Sequence, residues 1–177
     1  MSRIGYLKMS VDLFFEKQNR SLAWISYGVI VFWAVWALLV ALGDSVNLMQ
    51  EANLLPSYLV FTSKNYSLLA KSFALYQIQS KALMLICYSI IIVFTWIITA
   101  FFWRAVFAVK QNLDRYLQKC YTAFLVSFAI EAFFILSDEI FLQYELEHGH
   151  MARLGFKLIT FLVFLALNNI SWTAKCK

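Results

Sequence analysis

Charge is scarce in this chain. Lysine, arginine, aspartate and glutamate make up 14% of its 177 residues, where an ordinary soluble domain carries about 25%. The apolar residues reach 62%, and a soluble domain of this length could not hide them, because small domains leave much of their surface exposed. Lipid must therefore be the solvent for part of the fold. Glycine occurs only five times and proline once, at Pro56; no P-loop, G-x-G-x-x-G or G-x-S-x-G turn is present. Cys87, Cys120 and Cys176 lack C-x-x-C spacing and fall in or beside apolar runs, which gives no support to a disulfide framework, a zinc ribbon or paired-cysteine redox chemistry. The two histidines are His148 and His150, so bis-histidine haem ligation inside a membrane and an H-E-x-x-H zinc site are both excluded. No catalytic constellation is left. The expectation is a protein that is not an enzyme and carries no cofactor.

What is abundant is uninterrupted apolar sequence. Four runs stand out, at about 22–43, 82–105, 120–143 and 154–173. Each is long enough, at about 1.5 Å per residue, to cross a hydrocarbon core of about 30 Å. The runs are apolar throughout instead of alternating, so they read as helices and not as barrel strands. The predicted fold is all-α: a single membrane domain with four transmembrane helices. About twenty polar or amphipathic residues precede the first run, and no small-x-small site follows it; a cleavable signal is not expected.

The basic residues set the orientation. Arg3, Lys8, Lys17, Arg20, Arg104, Lys110, Arg115, Lys119, Lys175 and Lys177 would share one side, ten of the fifteen, against Lys64, Lys71, Lys81, Arg153 and Lys157 on the other. Asp44, Glu51, Asp138, Glu139, Glu145 and Glu147 cluster on that second side. The positive-inside rule then places both termini in the cytoplasm. The net charge of +5 is topology-setting, because the basic groups sit beside apolar runs and form no stripe interleaved with exposed aromatics. A nucleic-acid partner is not expected; the bilayer and other membrane proteins are.

Two flanking segments are more than connectors. Leu7, Val11 and Phe14 recur at helical spacing between Tyr6 and Gln18, which predicts a helix lying on the inner leaflet. The outer loop, 44–81, is too long to be structureless. It carries Tyr58, Phe61, Leu69, Phe73 and Tyr76, which predicts an amphipathic helix packed on the outer membrane surface or capping the bundle, and a candidate face for a partner. Cys176, close to the cytoplasmic membrane surface, is a weak candidate for palmitoylation.

Four ionisable residues are candidates for a site inside the membrane. Glu131 falls near the middle of the third run, where an ionisable group costs about 2.5–3.5 kcal/mol on insertion scales and is a functional hypothesis by default. A protonated carboxyl hydrogen-bonded to a neighbouring helix is the bland alternative. Asp138 lies seven residues on, on the same helix face, with Glu139 beside it. Lys157 enters the fourth run at the depth of those two acids, so an Asp138/Glu139–Lys157 pairing that fixes helix register is expected. The segment Tyr144–His150 holds Glu145, Glu147, His148 and His150, which are suitable zinc or copper ligands. Their spacing does not aim two histidines one way, and a solvated turn without metal is the expectation.

Ala37-Leu38-Leu39-Val40-Ala41-Leu42, Glu139-Ile140-Phe141-Leu142-Gln143-Tyr144 and Phe156-Lys157 resemble a poorly characterised bacterial family of small integral membrane proteins. Ser137-Asp138 replaces the glycines usual in that family, and its second tryptophan is missing. The resemblance implies a fold and no mechanism; the expected location is a bacterial inner membrane. The layout with Asn53-Leu54-Leu55-Pro56-Ser57 also resembles the immunity proteins against pore-forming colicins, which recognise the toxin's pore helices in the inner membrane. The leading expectation is an accessory subunit that binds membrane proteins. A small proton-coupled transporter using Glu131 and Asp138, and an immunity protein, are the alternatives.

Overall fold

The computed structural model describes residues 20–140 and 144–173, with side chains described for 21–140 and 147–168. Among these residues the chain forms α1 (Arg20–Glu51), α2 (Asn65–Leu75), α3 (Lys81–Ala108), α4 (Leu113–Ile140) and α5 (Tyr144–Thr173), and no strand. Four helices are long and apolar enough to cross a membrane: α1, α3, α4 and α5, with mean hydropathies of 2.3, 2.4, 1.8 and 1.6 in their best windows. The expected four-helix membrane bundle is the fold.

The helices are apolar nearly all round, so burial follows size and polarity instead of hydrophobicity. Trp24, Phe32, Leu39, Val93, Leu125, Leu136 and Leu162 face outward, where lipid tails solvate them. The inward faces carry small residues: Ala23, Ala34, Ala37 and Ala41 on α1, Ala105 and Ala108 on α3, Ala123 on α4. Without a hydrophobic force between helices in lipid, close backbone approach and polar contacts hold the bundle together. α1 packs on α3, α3 on α4, α4 on α5, and α5 returns to α1, the sparsest seam of the ring. Phe102 meets Phe124 edge-on at 5.4 Å across α3 and α4.

All four spans differ from the apolar runs at their ends. α1 continues to Glu51, so Asp44 and Asn47 lie on a helix and not in a loop. They stay helical because both find buried partners, described below. α4 starts at Leu113, seven residues before the apolar run, where the Asn112 side chain accepts the Arg115 amide at 2.9 Å and caps the first turn. The expected solvated turn Tyr144–His150 is instead the first two turns of α5. Polar residues extend a helix as readily as apolar ones, and hydropathy alone does not see its ends.

The segment 44–81 is accordingly shorter as a loop and better ordered than a connector. α1 closes with Asn53 in the left-handed region (φ 60°), Asn53 N bonded to Gln50 O and Leu54 N to Met49 O. α2 closes the same way through Gln77 (φ 57°), with Gln77 N on Ala74 O and Ile78 N on Phe73 O. Both are Schellman ends, which satisfy carbonyls that a helix otherwise leaves orphaned. α2 is the expected amphipathic helix of this segment. It lies against α1 and α3, with Tyr66, Ser72 and Phe73 buried and Lys71 exposed. Burial, with Glu51 nearby, holds the Tyr66 phenol above its ordinary 10.0. The expected inner-leaflet helix at 6–18 and Cys176 lie outside the described residues.

Candidate functional site

α4 and α5 run antiparallel and meet in steps of seven. Phe124 faces Phe164 at 6.0 Å, Glu131 faces Lys157, and Asp138 faces His150. Each step moves forward two turns on α4 and back two turns on α5, so one register explains all three contacts. Ser127, Glu131, Phe134 and Asp138 form the buried stripe of α4 that this register serves.

At its centre Lys157 is 3% exposed and Glu131 2%. The Lys157 ammonium has three protons to place. One goes to Glu131 Oε1 at 2.6 Å, one to Ser127 Oγ at 2.7 Å. The charge also lies 5.2 Å from the Trp33 ring centroid, a cation–π contact that brings in α1. Trp33 is oriented by its own indole N–H, which donates to Thr160 Oγ1 at 3.0 Å. Three helices thus converge on one cation.

Glu131 is half used. Its Oε1 accepts from Lys157, while Oε2 is buried with no hydrogen-bond partner among the described residues. It borders a cavity of about 30 Å³ that Thr95, Arg153, Trp36 and Lys157 also line, room for about one water. Counted along α4, Glu131 sits about 7 Å from the helix midpoint toward Ile140, because the helix begins seven residues before its apolar run.

The expected pairing of Lys157 with Asp138 or Glu139 is wrong by two turns. That pairing needs a fourth helix starting near 154; α5 starts ten residues earlier at Tyr144, which slides Lys157 down to Glu131. Asp138 takes His150 instead, with Nδ1 2.5 Å from Oδ2, and His150 stacks on Phe134 at 5.5 Å. Glu139 points away from both, exposed. The histidine cluster is likewise split. His150 turns into the bundle while His148 is exposed and Glu147 half-buried, and the Glu145 side chain lies outside the described residues. Among the described residues no three metal-ligating side chains converge.

A second polar cluster escaped sequence reading. Asp44 is 1% exposed and accepts from Asn65 Nδ2 at 2.8 Å and Tyr88 OH at 3.2 Å. Asn47 Oδ1, one turn on, takes the Tyr66 amide at 3.2 Å and lies 3.1 Å from the same tyrosine hydroxyl. Ser63 Oγ completes it, 3.0 Å from Tyr88 OH. These bonds lock α2 to α1 and α3. The only hint in sequence is the pair of polar residues three apart at the end of an apolar run; Tyr88, inside another such run, gives none.

The candidate partner face also divides. Tyr58 and Phe61 are exposed, whereas Phe73 is buried and Leu69 packs beside Tyr66 and Tyr88. Tyr76, half-exposed, donates from its hydroxyl to Ile140 O at 2.7 Å. An amphipathic helix turns its aromatic face to the bundle, while the loop before α2 and the end of α2 at Leu75 keep apolar groups outside. Neither a family model, nor a curated protein, nor a solved structure matches this chain.

Proposed function

We propose that this chain is a non-enzymatic accessory subunit of a bacterial inner-membrane assembly, with both termini cytoplasmic, that binds partner membrane proteins through the loop joining α1 to α2. One observation carries the reading. Leu54, Tyr58, Val60 and Phe61 are 75%, 80%, 94% and 54% exposed on a loop whose backbone is tied down. Gln50 Nε2 donates to the carbonyls of Pro56 and Leu59, each at 3.1 Å, and Ser63 N donates to Gly43 O at 3.2 Å. A contiguous exposed apolar patch marks an interaction surface, and a patch already ordered loses little entropy on docking. The distribution of lysine and arginine supports the orientation.

A transporter built on Glu131 and Asp138 is less supported. Both carboxylates already hold a basic partner, Lys157 and His150, and the cavity beside Glu131 has the volume of about one water. A photo-reactive amino acid at position 58 or 60, irradiated in native membranes, is expected to give a covalent adduct with one second protein of defined mass. Adducts with lipid alone would sink the accessory reading.

One specific partner class has its own support. The segment Asn53–Ser57, which resembles the colicin immunity proteins, begins that same ordered loop. If the partner is a pore-forming toxin, cells expressing the chain are expected to survive one such toxin and succumb to others. Equal killing with and without the chain dismisses this second reading.

A further inference from the structure

A hollow of about 330 Å³ opens between α1, α5 and the loop before α2, lined by Trp36, Leu39, Asp44, Phe61, Asn65 and Arg153 among others. Small-molecule sites begin at about this size. We propose that it binds the headgroup of a phosphoethanolamine lipid, with Arg153 taking the phosphate and Asp44 the ammonium. The two charges sit at matching depth. Asp44 directly follows the first apolar run, which ends near 43, and Arg153 directly precedes the fourth, which begins near 154 at the same end of the bundle. That is interfacial depth, and the α1–α5 seam is the sparsest in the ring.

Both groups have unused capacity. Arg153 makes no ion pair or hydrogen bond with any described residue, although it is half-buried. A guanidinium in that state matches a phosphate by its fork of donors. On Asp44 the bonds from Asn65 and Tyr88 both fall on Oδ1, which leaves Oδ2 for a further donor. Trp36 and Leu39, 45% and 50% exposed on the outer face of α1, would carry the acyl chain away from the headgroup.

The ligand class follows from the charges. One cation and one buried anion fit a zwitterion, whereas an anionic headgroup would bring net negative charge against Asp44. A primary ammonium can donate a hydrogen bond to Oδ2, and a choline headgroup cannot.

The test uses the full chain in mild detergent, with native mass spectrometry against phosphatidylethanolamine, phosphatidylcholine and phosphatidylglycerol of equal acyl chains, and against soluble phosphoethanolamine. Phosphatidylethanolamine is expected to bind about tenfold tighter than the other two lipids, the scale of one charge-assisted hydrogen bond. Arg153→Gln should remove most of that binding and Arg153→Lys restore only part of it, a point charge without the fork of donors, with unchanged helical circular dichroism and elution showing that each variant is folded. Asp44→Asn should erase the preference over phosphatidylcholine. Equal binding of phosphatidylglycerol or phosphatidylcholine to the unaltered chain overturns the proposal, as does an Arg153→Gln variant that binds normally. Soluble phosphoethanolamine binding as tightly as the lipid would assign the hollow to a free phosphate ester and overturn the lipid.

Discussion

Glu131→Ala is expected to destabilise the bundle by about 3–5 kcal/mol, the cost of leaving a buried charge without its partner. Lys157 would keep Ser127 and the Trp33 ring, but neither is an anion. Lys157→Ala should cost a similar amount, since it strands the carboxylate. The double variant Glu131→Leu with Lys157→Met is the informative one. Replacing a whole buried ion pair by apolar groups of similar volume is often neutral or stabilising, so it should recover most of the loss. Unfolding by sodium dodecyl sulfate titration in mixed micelles measures all three. Single variants within about 0.5 kcal/mol of the parent, the range of ordinary surface substitutions, would mean that the pair does not hold α4 against α5. A double variant as unstable as the singles would mean that it does more than neutralise itself.

Asp44→Ala is expected to loosen α2 specifically. Asn65 Nδ2 loses its carboxylate acceptor, a hydrogen bond to a charged group worth about 1.5–3 kcal/mol, while Tyr88 OH loses one neighbour and keeps Ser63 and Asn47. The loss is local, because Asp44 acts on the docking of 65–75 and not on the α4–α5 seam. Hydrogen exchange should therefore accelerate across α2 while the middle of α4 keeps its protection. Uniform acceleration would show that the Asp44 cluster holds the whole bundle, and none would show that α2 is kept in place by Tyr66 and Phe73 alone.

The two variants differ in how visible their sites were beforehand. Glu131 stood out at once, since a carboxylate in a long apolar run has few inexpensive explanations. Its partner was misassigned because helix pairing depends on where each helix begins, and the start of α5 lies in Tyr144–His150, seven residues whose polarity reads as a turn. An error of ten residues in that start became an error of two turns in the register. Asp44 was legible only as an acid at the end of a span. Its partners Asn65 and Tyr88 stand 21 and 44 residues away, with nothing local to connect them. Among the aromatic residues of the segment 44–81, the helical phase of α2 turns Phe73 in, and Tyr58 stays out on the loop that Gln50 ties down.

The solvent and the number of crossings are written in the order of residues, because a hydrocarbon core about 30 Å thick imposes a length and a polarity that can be counted along the chain. That order also determined that buried charge had to be compensated somewhere. Which charges meet was decided by the tertiary structure alone. The ion pair of Glu131 with Lys157, the contact of Asp138 with His150, and the shared hollow of Asp44 and Arg153 all join separate helices. Their geometry is set by helix ends, register and rotation, which interhelical packing chooses and no single helix encodes.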